Sequence, residues 1–205
     1  ELGSVEPVRE LAAVAHAHGA LFHVDATQAL GKMPLDVREW DVDAASFSAH
    51  KVGGPKGIGA LYVKARTPLS AFQLGGGQEA GRRSGTQNVM GAAGFAAACR
   101  AVCAMEPVES VRLRELRDEL YEKLSQVPGV RPTVDVPRGS VDFLPNIVHV
   151  IVSDLESETL ILRLDMKGFG VSGGSACSSH SLEPSHVLRS IGVEGDDAYG
   201  ALRIS

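Results

Sequence analysis

Apolar positions change their spacing several times along the chain, and each change predicts an element. Val8, Leu11, Ala12 and Ala15 recur at three and four residues after Pro7, which places them on one helical face, and Gly19 supplies a stop. The largely apolar run 20–24 predicts a buried strand ending in Asp25. A shorter run at 44–47 predicts a second strand that ends in Ser48, Ala49, His50 and Lys51. Gly53, Gly54, Pro55, Lys56 and Gly57 make a turn into a third strand at 58–63. The Gly- and Arg-rich segment 74–85 predicts a tight or mobile loop.

An Ala-rich helix is expected over 87–104, where small residues permit close packing. Pro107 is read as breaking or restarting it, and Leu113, Leu116, Leu120 and Leu124 carry the next helical stripe. Beyond Gly129 the pattern shrinks to a strand at 147–152, a helix at 156–164, a Gly-Ser loop at 172–179, a helix at 184–190 and a strand at 201–205. The fold class is α/β. Residues 1–106 form part of a larger domain with a mostly parallel sheet, and residues 107–205 form a smaller α/β domain carrying the Gly-Ser loop. The ends at Asp25 and Lys51 then converge on one sheet edge, where open α/β sheets bind ligands.

Charge narrows the partners. Lys and Arg number 20 against 25 Asp and Glu, a formal −5 with no basic block, so nucleic acid is not the expected direct substrate. Three cysteines, Cys99, Cys103 and Cys177, form neither a paired framework nor a zinc spacing, and free thiols suit a reducing, cytoplasmic compartment. No membrane span is expected, because the apolar run after Met90 is cut by Gly94 and reaches Arg100, short of the ~20 residues a span needs. Cys99 and Cys103, one turn apart, are read as small buried packing residues.

The polar strand ends carry the chemistry as a group. A lysine amine can form a Schiff base with a carbonyl, and Lys51 is placed for that. An acid on a neighbouring strand can pair with a protonated pyridine nitrogen, the device that makes pyridoxal phosphate an electron sink, and Asp25 is placed for that. Ser48 and His50 can donate to a phosphate, and Gln28 can reach a ring oxygen. Taken singly, each is an ordinary solvated strand end. Cys177 in its Gly-Ser loop would read as an incidental surface cysteine without the others.

Longer motifs in register resolve this. His-Val-Asp-Ala-Thr-Gln at 23–28, Ser-Phe-Ser-Ala-His-Lys at 46–51 and Gly-Pro-Lys-Gly-Ile-Gly-Ala-Leu-Tyr-Val at 54–63 resemble the cysteine desulfurases of the class V aminotransferase superfamily. The likeness continues through Gly-Gly-Gly-Gln-Glu at 75–79, Arg-Ser-Gly-Thr at 83–86, Gly-Ser-Ala-Cys-Ser at 174–178 and Ser-Leu-Glu-Pro at 181–184 to Arg203, in order. The Gly-Ser-Ala-Cys-Ser form resembles the branch serving iron-sulfur clusters and thio-modification.

The resemblance implies a fold type I pyridoxal-phosphate enzyme. It makes Lys51 the lysine that bonds the cofactor aldehyde, Asp25 the partner of the pyridine nitrogen, Gln28 a contact to the ring oxygen, and Ser48 and His50 ligands of the phosphate. Thr86 matches a threonine sent into the partner subunit's phosphate site, which implies a homodimer, and Arg203 matches the arginine for the substrate carboxylate. Cys177 matches the nucleophile that takes sulfur from L-cysteine as a persulfide, leaving L-alanine, for delivery to an iron-sulfur scaffold or another sulfur acceptor. The family's stacking histidine, a glycine-threonine phosphate turn and an asparagine near the ring oxygen precede Glu1 in that pattern. The chain is therefore expected to match the C-terminal half of such an enzyme and to be inactive by itself. A related aminotransferase, a selenocysteine lyase and an inactive interaction fragment are the alternatives.

Overall fold

The structure is a computed structural model that describes residues 1–174 and 184–205. It divides into two compact units, Pro7–Pro107 and a second formed by Glu1–Glu6 with Val108–Ser205. The first six residues thus belong with the later unit.

In the unit Pro7–Pro107, helix α1 (Val8–Ala17) follows Pro7 and is closed by backbone bonds from His18 and Gly19, the glycine in the left-handed region at φ 70°. Its buried contact is narrower than the apolar spacing predicts. Ala12 is fully buried beside Val42 and Ala45, with Val8, Phe22, Trp40 and Tyr62 around them, while Leu11 is 41% exposed. Three strands follow: β1 (His23–Asp25), β2 (Ala44–Ser48) and β3 (Gly59–Val63), in the spatial order β1-β2-β3.

The expected mostly parallel sheet is corrected here. β1 and β2 are parallel, but β2 and β3 are antiparallel. The connection 49–58 causes this, because a parallel return needs a crossover of about a dozen residues or more and a tight turn can only reverse the strand. The other sheet, in the second unit, is antiparallel at both of its pairings.

Pro107 also behaves differently from expectation. Helix α2 (Val89–Leu124) runs through it without a break. Proline forfeits the bond from its missing N–H, a cost of about 3 kcal/mol in a helix interior, but Ala, Leu, Glu and Arg dominate the flanking sequence and favour the helix throughout. Gly94 does not interrupt it either. By length and composition alone the helix is therefore apolar enough to cross a membrane, contrary to the sequence estimate. Its face in the Pro7–Pro107 unit is packed, however: Phe95 is buried with Ala49 and Val52, and Ala98, Cys99 and Val102 lie against them. Both cysteines were expected to be buried; Cys99 is half-buried against that cluster and Cys103 is exposed.

The second unit is built on β4 (Val130–Pro132), β5 (Val148–Val152) and β6 (Ala201–Ile204), with β5 central. Val150 and Ile151 are fully buried on its two faces. One face meets Tyr121, Leu120, Leu124 and helix α3 (Ser157–Asp165); the other meets Leu2, Leu188 of helix α4 (His186–Ser190) and Ala198 of helix α5 (Asp196–Tyr199). Sequence reading missed β4 and α5, which are too short for periodicity to register.

Two buried polar devices stiffen this unit. Arg117, 2% exposed, gives Nε and Nη2 to Asp118 Oδ1 at 3.0 and 2.8 Å and donates to the carbonyls of Phe143 and Ser140, while Asp118 Oδ2 accepts from Gly139 N at 2.7 Å. His149, fully buried in β5, shares a 2.7 Å hydrogen bond with Thr133 Oγ1. Burial, with the positive charge of Arg203 behind it, lowers its pKa to about 4.

Candidate functional site

The parallel register pairs Asp25 with Ser46, so Asp25 and Ser48 leave the sheet at the same edge. The Asp25 carboxylate is then tied down locally. Its Oδ1 accepts the backbone N–H of Thr27 at 3.0 Å, the turn that Asp-Ala-Thr favours, and Ala26 N donates across to Ser46 O at 3.0 Å. The hydrogen bond from Thr27's side chain is the largest influence on its acidity. With further help from the Thr27 backbone, His23 and the Ser46 hydroxyl, it holds the carboxyl below the usual range against an opposing desolvation effect at this exposed residue. Asp25 is thus an anion at neutral pH.

Beyond Ser48 the chain enters a single 3-10 turn, Ala49–Val52, that carries His50 and Lys51. Alternation would continue the strand, but Gly53 turns left-handed at φ 75° and closes the turn with a bond to Ala49 O. Gly54 N bonds the same oxygen at 2.9 Å, and a Cβ on Gly54 would approach it to 3.0 Å. Buried Ala49 and Val52 anchor the turn in the core, leaving Lys51 half-buried and His50 exposed. Pro55 lies against Gly94 of α2, where a Cβ would come within 2.7 Å of the proline ring. An amine and a carboxylate are therefore presented by neighbouring strand ends on a rigid support.

The remaining predicted residues are less convergent. Gln28 is exposed in the turn after Asp25, and its Oε1 accepts from Lys32 Nζ at 2.6 Å. Thr86 is exposed just before α2, beyond a loop held by the Gln73–Arg83 bridge and by Gly85 N donating to Gln78 Oε1 at 3.2 Å. Arg203 belongs to the second unit, on β6. It pairs with His149 of β5 and, on its other side, exchanges backbone bonds of 2.6 and 3.0 Å with Ser172. Its Nε is buried without a hydrogen-bond partner among the described residues, so a guanidinium donor remains for an acceptor from outside. Cys177 lies outside the described residues.

Three supporting residues escaped sequence reading: Thr27 and Ser46, which fix Asp25, and Ser172, which flanks Arg203. Ser46 and Ser48 sit two apart on one strand and so share a face, a signal legible once β2 is placed. Ser172 carries no such signal, since its partner lies far away in sequence.

Comparison with known proteins matches this arrangement over its whole length. The aminotransferase class-V family model matches residues 1–205. A cysteine desulfurase of Gluconacetobacter diazotrophicus is 44% identical over 205 residues, covering 100% of this chain and 50% of that protein. A solved NifS-like protein superposes with a TM-score of 0.88 at 34% identity, over 100% of this chain and 52% of that one. SspA, solved in complex with cysteine, gives 0.74 at 32% identity over 100% of this chain and 55% of that one. The chain spans about half the length of the relatives it matches. With its α/β fold, ionised Asp25 and lysine turn, the chain belongs to the class-V aminotransferase family, among relatives named cysteine desulfurases.

Proposed function

We propose that this chain belongs to a pyridoxal-phosphate-dependent cysteine desulfurase, which converts L-cysteine to L-alanine and transfers the sulfur to Cys177. The observation that carries the reading is the ionised Asp25 beside the strand end that turns into Lys51, in a chain 44% identical along its full length to a cysteine desulfurase.

Pyridoxal phosphate supplies, when bound, an electron sink at the substrate α-carbon. The donor set fits it. Asp25 offers an anion to a protonated ring nitrogen, Lys51 an amine to the aldehyde, Ser48 and His50 donors to the phosphate, and Gln28 a contact to the ring oxygen. Lys51 also moves a proton at the substrate α-carbon, the general acid-base task of a positioned amine. Arg203 holds the substrate carboxylate with a planar fork, and Thr86 serves the phosphate site of a second copy in a homodimer.

The sulfur balance closes within substrate and enzyme. An S–S bond forms between Cys177 Sγ and the substrate sulfur as the substrate C–S bond breaks. The electron pair stays with carbon, which takes up a proton to become alanine. The persulfide then passes to a protein acceptor, an iron-sulfur scaffold or a thio-modification relay. A cytoplasmic setting suits the free thiols.

The test is incubation of the whole protein with L-cysteine, followed by alanine assay and mass spectrometry of Cys177. Alanine with a 32 Da sulfur adduct of about one per subunit supports the reading. Transamination without an adduct overturns it.

A further inference from the structure

Thr133, His149, Arg203 and Ser172 stand in one row across β5 and β6. Thr133 N donates to His149 O at 3.1 Å, His149 and Arg203 are direct partners on the two strands, and Arg203 exchanges its backbone bonds with Ser172. Directly opposed residues of an antiparallel pair point to the same face, with Cβ atoms about 5 Å apart. That face is the one on which Ile151 and Ala201, two positions away on either strand, pack with Leu2 and Leu188. An imidazole and a guanidinium are therefore neighbours.

The imidazole is fully buried and held in place. Its Nδ1 shares the 2.7 Å bond with Thr133 Oγ1, and the backbone N–H of His149 donates to Tyr121 Oη at 3.0 Å. Burial, with the charge of Arg203 behind it, keeps the ring neutral at physiological pH. The guanidinium has no counter-charge beside it. None of the ion pairs among the described residues includes Arg203, Glu1 Oε2 accepts from Ser185 Oγ instead, and Arg203 Nε is buried without a partner. A half-buried cation in that state is costly, and a carboxylate arriving from outside offsets the cost through charge-assisted bonds. An acid at position 149 would meet the same need from within.

We propose that His149 is a specificity-determining residue acting through Arg203: a neutral side chain fixed where an acid would pair with the guanidinium, so that this cation stays free for the carboxylate of the incoming amino acid. Discrimination between an amino acid and the matching amine then comes from charge left uncompensated in the protein, which only the carboxylate-bearing ligand satisfies. Thr133 and Tyr121 serve the same end by holding the ring and its strand in register with Arg203. This inference rests on the assignment of Arg203 to the substrate carboxylate in the desulfurase reading.

Its test uses the whole protein with His149→Asp and His149→Asn, and two probes: 3-mercaptopropionate, which has the carboxylate but no amine, and cysteamine, which has the amine but no carboxylate. In His149→Asp, KM for L-cysteine and the dissociation constant of 3-mercaptopropionate should each rise by about tenfold or more, with kcat changed much less and cysteamine affinity, read from the cofactor absorbance, changed less than about twofold. His149→Asn is neutral and should stay within about threefold of wild type on every measure. Equal losses for cysteamine and 3-mercaptopropionate, or unchanged 3-mercaptopropionate affinity in a folded His149→Asp, overturn the proposal. If His149→Asp does not fold, His149→Asn and the wild-type ring still decide it: a tenfold loss in the asparagine variant, or nitrogen NMR showing a protonated His149 ring at about pH 7, overturns the neutral role. Arg203→Met tests the foundation separately. Unchanged 3-mercaptopropionate affinity in that variant sinks the assignment of Arg203, and wild-type protein that makes no alanine sinks the desulfurase reading, while the response of 3-mercaptopropionate to His149→Asp still decides the charge role.

Discussion

Asp25 and Ser46 face each other across the parallel strand pair, and the serine hydroxyl helps keep the carboxylate ionised. The direction of that effect sets a pH prediction. Because Asp25 titrates below the usual carboxylate range, its anion persists as pH falls, and the site loses it only in acid. Ser46→Ala removes one stabilising bond, so the acid limb of kcat/KM in the whole protein should move to higher pH. Asp25→Asn should lower alanine production by about 100-fold or more, the scale of a lost charge at the reacting centre. A superimposable pH profile for Ser46→Ala would contradict the support assigned to it.

The proposed function divides the chemistry between the lysine turn and the cysteine. Lys51→Ala should remove the pyridoxal label that borohydride fixes to wild-type protein. Cys177→Ser should keep that label yet lose sulfur loading by about 100-fold or more, since a hydroxyl replaces the thiolate nucleophile. Label persisting on another lysine, or undiminished loading in the serine variant, would refute the division.

Arg117 and Asp118 form a buried ion pair whose members also hold the backbone at 139–143. Arg117→Met should destabilise the protein by about 3–5 kcal/mol, because it strands a buried carboxylate. The double variant Arg117→Met/Asp118→Leu should recover part of the loss, as urea unfolding would measure. Additive losses in the two single variants would show that the pair is not coupled.

His149 supplies an acid sensitivity. Its folded pKa of about 4 lies below the ordinary value of 6.5, so the unfolded chain binds the extra proton between those values and stability falls as pH drops through that window. The full effect is about 3 kcal/mol, lost between pH 6.5 and 4 and constant below. His149→Gln should flatten this part of the stability curve. Parallel curves for variant and wild type would exclude His149 as the origin.

Much of this molecule is legible in the sequence wherever a repeat or motif is long enough. The α1 start and stop, two of the three strands around Asp25 and Lys51, and β5 with β6 follow from periodicity and glycine placement within a few residues, whereas the buried strand expected at 20–24 is the three-residue β1, exposed at both His23 and Asp25. Strand direction is not encoded in that pattern. It depends on the short connection 49–58, and attention to its length would have predicted the antiparallel β3. The continuity of α2 through Pro107 was hidden because a local rule about one residue was set against many favourable neighbours. The long-range partner Ser172 was out of reach, since hydrogen bonds between distant segments leave no periodic trace.

The contact between Gly94 and Pro55 makes a helix position with no reactive atom answerable for the lysine. Added volume at residue 94 has to displace the proline ring, and the displacement is handed directly to the turn in which Lys51 sits. In a saturation library over 89–104, with sequence otherwise tolerant on its exposed side, residue 94 should stand out as depleted under selection for sulfur transfer. Selection would register there as chemistry, though the cause is purely mechanical: the spacing between a helix and a proline sets the aim of an amine.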